Sequence, residues 1–149
     1  MALYYLETSA LVKLYVREPG TDRLLRLASR TTDHRFAVLV LAQVEFRSAI
    51  RKRQRLGDIE ESIATRVIGR FEQHLETKFM RQILNDSVLD TAKELVDRYP
   101  LRAYDAVQLA GCVALQTISG GQEPVFVCAD RQLLEAAESE GLQTMDASE

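Results

Sequence analysis

The sequence predicts an α/β fold, a three-layer α/β/α sandwich around a mostly parallel sheet of four to five strands. Short apolar runs, typical of buried strands, alternate along the chain with longer segments of helical periodicity. The segment from Asp105 to Ile118 is apolar nearly all round, as expected of a central helix. The 149 residues, 46% of them hydrophobic, suit a single domain spanning 1–149 with one ordinary core.

The first third of the chain predicts two strands and three helices. The apolar, tyrosine-rich run Leu3 to Leu6 indicates a first buried strand, and Phe36 to Val40 indicates a second. Two short helices are expected between them, and Thr21 is a candidate cap of the second helix. A longer helix then runs from Ala42 to Arg55 and ends before Gly57.

The middle of the chain is mainly helical. A helix starting at Asp58 has an amphipathic stripe, which either packs on the core or forms a partner surface. Ile83-Leu84 is predicted as a short strand, and Pro100 ends the helix that follows it. The stripe recurs every four residues, at Ile59, Ile63, Val67, Phe71 and Leu75.

The last third predicts the remaining elements of the sandwich. After the central helix, Val125 to Cys128 is the best strand signal in the chain. A helix closed by Gly141 follows, and Leu142 to Met145 is predicted as an edge strand. This order of strands and helices favours parallel pairing with helices on both faces of the sheet.

Composition excludes several classes of protein. The net charge of −3 and the pI of about 5.5 argue against a surface that binds nucleic acid as a whole. Cys112 and Cys128 lie in apolar segments and are interpreted as small buried hydrophobic residues. There is no signal-peptide pattern and no apolar stretch long enough to span a bilayer, so a cytoplasmic location is predicted.

Four carboxylates occupy positions at which they can converge. Glu7 and Asp130 each follow a predicted strand, Asp105 opens the central helix, and Glu45 lies on the inward face of a helix. Ligands of parallel sheets gather beyond the carboxyl ends of the strands, where these acids would repel one another without a cation. Oxygen ligands without a Cys or His cluster favour Mg²⁺ or Mn²⁺, so a divalent-metal site is predicted.

Each acid also has a structural explanation. Asp105 and Asp130 are good helix caps, and Gln108 would complete a capping box with Asp105. Glu7 in a first helical turn gains from the helix dipole. Glu45 would be accommodated by a buried salt bridge or by a rotation of its helix that exposes it.

Four stretches of the sequence carry a further signal, Tyr5 to Tyr15, Val44 to Phe46, Leu101 to Ala110 and Phe126 to Ala137. In these stretches the chain resembles PIN-domain proteins, most closely the VapC-type toxins of prokaryotic toxin–antitoxin pairs. The resemblance implies a metal-dependent endoribonuclease that acts with Mg²⁺ or Mn²⁺, forms a homodimer and binds a small antitoxin near its site.

The resemblance also assigns roles to residues. Glu45, Asp105 and Asp130 match three of the family's acids and, with Glu7, form the predicted catalytic and metal-binding set. Thr8 and Ser9, which match hydroxyl residues after the first acid, either support a metal ligand or cap a helix. Glu7 departs from the family's Asp, and its extra methylene would shift or weaken a Mg²⁺ site, or leave it unharmed if the backbone retreats slightly.

A basic cluster follows Glu45 on the same helix. Such a run is often a solvated helix face, but its closeness to a candidate site favours phosphate contact. Arg102, beside Asp105, is a further candidate for steadying RNA or for pairing with acids in the absence of metal. The residues predicted to bind RNA are Arg47, Arg51, Lys52 and Arg102, with Arg53 and Arg55 in the same cluster.

Two other functions compete with an active nuclease. A receiver-like phosphoryl-transfer domain also clusters acids, but it would place a lysine after a late strand, where this chain has Asp130. A catalytically weak PIN module that binds RNA or an antitoxin is the other alternative, and the substitution at Glu7 supports it.

Overall fold

In the computed structural model, which describes residues 2–30 and 32–149, five parallel strands form one sheet in the order β3-β2-β1-β4-β5. The described helices flank this sheet, so the predicted α/β class and parallel sheet are confirmed. The elements are β1 Ala2–Leu6, α1 Thr8–Lys13, α2 Thr21–Ala28, β2 His34–Leu39, α3 Ala42–Arg55, α4 Glu61–Thr77, β3 Met80–Gln82, α5 Asp86–Arg98, α6 Ala103–Ile118, β4 Pro124–Cys128, α7 Arg131–Ser139 and β5 Gln143–Asp146.

Two hydrophobic layers cover the two faces of the sheet. Because side chains alternate along a strand, Leu3 and Tyr5 of β1 face one layer while Tyr4 and Leu6 face the other. Helices α5, α6 and α7 pack in the first layer, and α1 to α4 pack in the second. Helix α6 is buried along most of its length, as its apolar sequence predicts. Even so, none of the helices described here is both long and apolar enough to cross a membrane.

The strand order places a change of direction next to β1. The chain passes from β1 to β2 and β3 on one side, then crosses to β4 and β5 on the other. The connections after β1 and β4 therefore diverge at the carboxyl edge of the sheet, which leaves a crevice where ligands of open α/β sheets bind. Acids stand at both strand ends: Glu7 follows β1 directly, and Asp130 follows β4 after one residue.

Three predicted boundaries are wrong. The third strand is Met80–Gln82 and not Ile83-Leu84. Its ladder with β2 pairs Ala37 with Met80 and Leu39 with Gln82, and Ile83 beyond it is exposed. Helix α4 begins at Glu61 rather than at Asp58, whose backbone N–H closes the end of α3. The N-cap residue of α2 is Gly20, and Thr21, which was predicted as the cap, is the first residue of the helix. The buried stripe of α4 lies on the core between α3 and the sheet, at Ala64, Ile68, Phe71 and Leu75.

Candidate functional site

Four carboxylates from four parts of the chain line one cleft at the carboxyl edge of the sheet. The cleft has a volume of about 960 Å³. Glu7 follows β1 and Asp130 follows β4, whereas Glu45 and Asp105 lie in the first turns of α3 and α6. The structure therefore brings the four sequence-predicted acids together along one cavity.

Glu7 is buried at the start of α1, where it is the N-cap residue. Its carboxylate accepts hydrogen bonds from the backbone N–H of Ser9, at 2.9 Å, and from the Ser9 hydroxyl. The same hydroxyl accepts from the backbone N–H of Ala129, at 3.0 Å, and so ties the ends of β1 and β4 together. Burial raises the pKa of Glu7 to about 7, against the lowering effect of the Ser9 bonds. Ser9 therefore holds Glu7 and supports the edge of the cleft.

Glu45 is held by neutral partners rather than by a salt bridge. Its Oε1 atom accepts from the Thr8 hydroxyl at 3.0 Å and from the Gln108 amide nitrogen at 2.5 Å. Burial raises the pKa of Glu45, while these two hydrogen bonds act in the opposite direction. The side chain is half-buried and lines the cleft, so neither structural explanation from the sequence accounts for it fully.

Arg102 bridges the other two acids. Its Nε donates to Asp105 Oδ2 at 3.0 Å, and its guanidinium lies 3.7 Å from Asp130 Oδ2. Because α6 begins at Ala103, Arg102 is the N-cap residue and the capping role considered for Asp105 is wrong. Asp130 does cap α7, through a hydrogen bond from the Leu133 backbone N–H. Its other carboxylate oxygen, Oδ2, is nevertheless the one that lies near Arg102.

Mutual repulsion among the cleft acids opposes their ionisation. Burial is the main cause that raises the pKa of Glu7, Glu45 and Asp105, and in each case a neighbouring carboxylate adds to the rise. A cation among these acids would relieve that repulsion, and their all-oxygen chemistry suits Mg²⁺ or Mn²⁺. Across residues 2–30 and 32–149, however, no three Asp, Glu, His or Cys side chains form a group that could hold a metal ion. The donor chemistry thus fits a divalent cation, while in this structure the acids are held by hydrogen bonds from Ser9, Thr8 and Gln108 and by the ion pairs of Arg102.

Two of the four predicted RNA-binding cations reach the cleft. Lys52 and Arg102 line it, whereas Arg47 and Arg51 do not. Arg47 forms an ion pair with Glu72 of α4, and Arg51 donates to side chains of α3 and α4. These two arginines therefore support the contact between α3 and α4 in this structure.

Arg53, a member of the predicted basic cluster, lines the same cleft, as does Lys13, to which the sequence analysis gave no role. Glu18 joins them, since its two carboxylate oxygens lie 3.2 Å from the Lys13 amine and 2.6 Å from the Arg53 guanidinium. Lys13 is buried, and its position directly after the apolar run Ala10 to Val12 of the first helix was the available signal.

Gln108 is the most informative residue that sequence reasoning missed. The capping-box interpretation linked it to Asp105, but its amide contacts Tyr5, Thr8 and Glu45 instead. It is completely buried in α6. An amide in a helix that is apolar nearly all round indicates a buried polar partner, and this was the signal in the sequence.

Solved structures share this fold. The chain is 25% identical to PAE2754 from Pyrobaculum aerophilum, with a TM-score of 0.61 over 96% of this chain and 83% of that one. For VapBC2 from Rickettsia felis bound to a DNA fragment from their promoter, identity is 11%, TM-score 0.66, and coverage 97% and 98%. For FitAcB from Neisseria gonorrhoeae, identity is 12%, TM-score 0.58, and coverage 99% and 98%. The last two likenesses concern the fold alone.

The sequence itself identifies the family. Comparison with curated proteins finds no matching sequence. The family model of the PIN domain matches residues 4–139, which include all four cleft acids. The predicted resemblance to PIN-domain proteins is thereby confirmed. The chain belongs to the PIN-domain family.

Proposed function

We propose that this protein is a metal-dependent endoribonuclease and the toxin of a VapC-type toxin–antitoxin pair. The observation that carries the proposal is the cleft at the carboxyl edge of a PIN-domain sheet, lined by Glu7, Glu45, Asp105 and Asp130. A cluster of carboxylates with raised pKa values, beside cationic side chains, suits hydrolysis of a phosphodiester better than it suits binding alone.

The four acids would hold Mg²⁺ or Mn²⁺, with Asp105 as the central ligand. A bound divalent ion supplies neutralisation of phosphate charge and activation of water. The chain's own residues prepare the cleft for it, since Ser9 orients Glu7 and Thr8 orients Glu45. Because burial raises the pKa of Glu7, Glu45 and Asp105, uptake of the cation would release protons from them and would strengthen as pH rises.

Lys52 and Arg102 would contact the RNA backbone. Both line the cleft, and the Arg102 side chain is 64% exposed although it pairs with two acids. Its guanidinium also lies over the ring of Tyr104, 4.8 Å from the centroid, which keeps it at the cleft mouth. When Asp105 and Asp130 bind metal, the Arg102 guanidinium would be released from its ion pairs with them and could pair with an RNA phosphate.

An antitoxin would cover the apolar side of the same cleft. Val44 and Leu56 line it with 67% and 68% of their surface exposed, which is unusual for large aliphatic side chains around a polar site. VapBC2 and FitAcB share the fold and support a partner of this kind. A homodimer, also implied by the resemblance, has a candidate surface at the exposed Ile83 and Ile118.

An RNA cleavage assay tests the activity. We expect the purified chain to cut RNA with Mn²⁺ or Mg²⁺ and to stop when EDTA is added. Asp105→Asn should lower the rate at least about 100-fold, since loss of a central ligand costs several kcal/mol. Asp90→Asn, an exposed aspartate on α5, is the matched control and should keep the wild-type rate. Cleavage that persists in EDTA, or in folded Asp105→Asn, would refute the mechanism.

The attenuated PIN module is a second candidate, favoured by the contacts of Glu7. The longer side chain turns back to cap its own helix through Ser9. If this cap withdraws the carboxylate from the metal, Glu7→Asp should raise the cleavage rate tenfold or more. An unchanged or lower rate in Glu7→Asp would instead show that Glu7 serves an active site.

A further inference from the structure

A buried chain of hydrogen bonds leads from the sheet to Glu45. The Tyr5 hydroxyl, on β1, donates to Gln108 Oε1 at 3.0 Å. Gln108 Nε2 then donates to Thr8 Oγ1 at 3.1 Å and to Glu45 Oε1 at 2.5 Å. Tyr5 and Gln108 are both completely buried, so water does not compete for these contacts. Only the last member, Glu45, opens into the cleft with Thr8 beside it.

These hydrogen bonds permit only one orientation of the Gln108 amide. An ionised carboxylate only accepts hydrogen bonds, so the NH₂ group must face Glu45 and the amide oxygen must face Tyr5. The Thr8 hydroxyl donates its one proton to Glu45, and therefore it accepts a hydrogen bond from Gln108. A reversed amide would place oxygen against the carboxylate and leave the Tyr5 hydroxyl facing a donor. Tyr5 thus fixes the orientation of the amide, and the amide fixes Glu45.

Gly111 leaves the space that the Tyr5 hydroxyl needs in order to reach Gln108. It lies on α6, three residues after Gln108, and a Cβ atom there would come within 2.5 Å of the Tyr5 hydroxyl oxygen. Any side chain at 111 would displace the hydroxyl from Gln108. Glycine at this position of α6 therefore allows Tyr5 to lie where its hydroxyl contacts Gln108.

We propose that Gln108, oriented by Tyr5, is a positioning residue that holds the Glu45 carboxylate in the geometry required of a metal ligand. The inference rests on the proposed function, because it assigns Gln108 a role only if Glu45 helps to hold a divalent ion. Partners that orient metal ligands typically contribute 10- to 100-fold to metal affinity. Gln108 is completely buried and does not line the cleft, so it acts through Glu45 and Thr8 and not by direct contact with a ligand.

Mn²⁺ titration calorimetry with Gln108→Met tests the proposal. Methionine keeps the length of the side chain and removes both hydrogen-bonding groups. We expect the Mn²⁺ dissociation constant to rise about 10- to 100-fold, while the KM for RNA at saturating Mn²⁺ stays within about twofold. Gln116→Met makes the same change on α6 at a position outside the cleft and should leave both constants unchanged. A general distortion of the cleft would raise the KM as well.

Tyr5→Phe provides the second variant, since it removes one hydroxyl and keeps the ring in the core. It should raise the Mn²⁺ dissociation constant severalfold, although the Tyr5 hydroxyl donates to Gln108 and not to an acid, and it decides the question if Gln108→Met fails to fold. Folded variants with wild-type Mn²⁺ affinity, or with Mn²⁺ affinity and KM impaired together, would overturn the role of Gln108. Failure of the wild-type chain to bind Mn²⁺ would instead overturn the metal centre itself.

Discussion

Replacement of Glu7 by Gln should make the metal-free protein less sensitive to pH. The pKa of Glu7 is about 7 in the folded protein, against an ordinary value of 4.5. Between these values the folded chain binds a proton that the unfolded chain has released, so the free energy of unfolding falls as pH rises. At about 1.4 kcal/mol per pKa unit, the loss between pH 4.5 and pH 7 approaches about 3 kcal/mol.

The variant removes this loss without removing the helix cap. A glutamine Oε1 atom can still accept from the Ser9 backbone N–H and hydroxyl, which hold the carboxylate now. Glu45 and Asp105 keep their own raised pKa values, so part of the pH dependence should remain in the variant. We therefore expect the variant to lose about 2.5 kcal/mol less stability than the wild type between pH 5 and pH 8.

Urea denaturation in EDTA at pH 5 and pH 8 measures the difference. The matched control is Glu135→Gln, an exposed glutamate on α7, which should follow the wild type at both pH values. If Glu7→Gln and the wild type lose the same free energy of unfolding, then Glu7 does not carry a buried proton near neutral pH. The burial of Glu7, as the main cause of its raised pKa, would then be refuted.

Three further substitutions test separate parts of the structure. Arg102→Gln should weaken RNA binding and reduce the slope of log affinity against log salt by about 0.7, the contribution of one phosphate contact to a single strand; an unchanged slope in filter-binding titrations would exclude that contact. Asn85→Ala removes the side-chain cap of α5 and should cost about 1 kcal/mol in urea denaturation, with cleavage unaffected. Gly111→Ala should cost about 1–3 kcal/mol by overpacking against Tyr5, and a stability equal to the wild type would contradict the close approach.

The sequence predicts the layers of this fold well, because each layer depends on local hydrophobic periodicity. It fails at β3, where Met80-Arg81-Gln82 has no apolar run of its own and pairs because β2 offers an open edge. It also predicts that the four acids meet, since strand ends of a parallel sheet converge. It does not predict the contacts that hold them, because Gln108 reaches Glu45 and Tyr5 only after α6 packs on β1.

A crystal structure of the protein soaked in Mn²⁺ tests the central proposal most directly, with anomalous scattering to locate the ion. We expect density in the cleft within ligand distance of Asp105 and Glu45, with Arg102 moved away from Asp105. The ion should be absent from crystals of Asp105→Asn grown and soaked in the same way. A cleft without density at saturating Mn²⁺, with Arg102 still paired to both aspartates, would contradict the proposed metal centre.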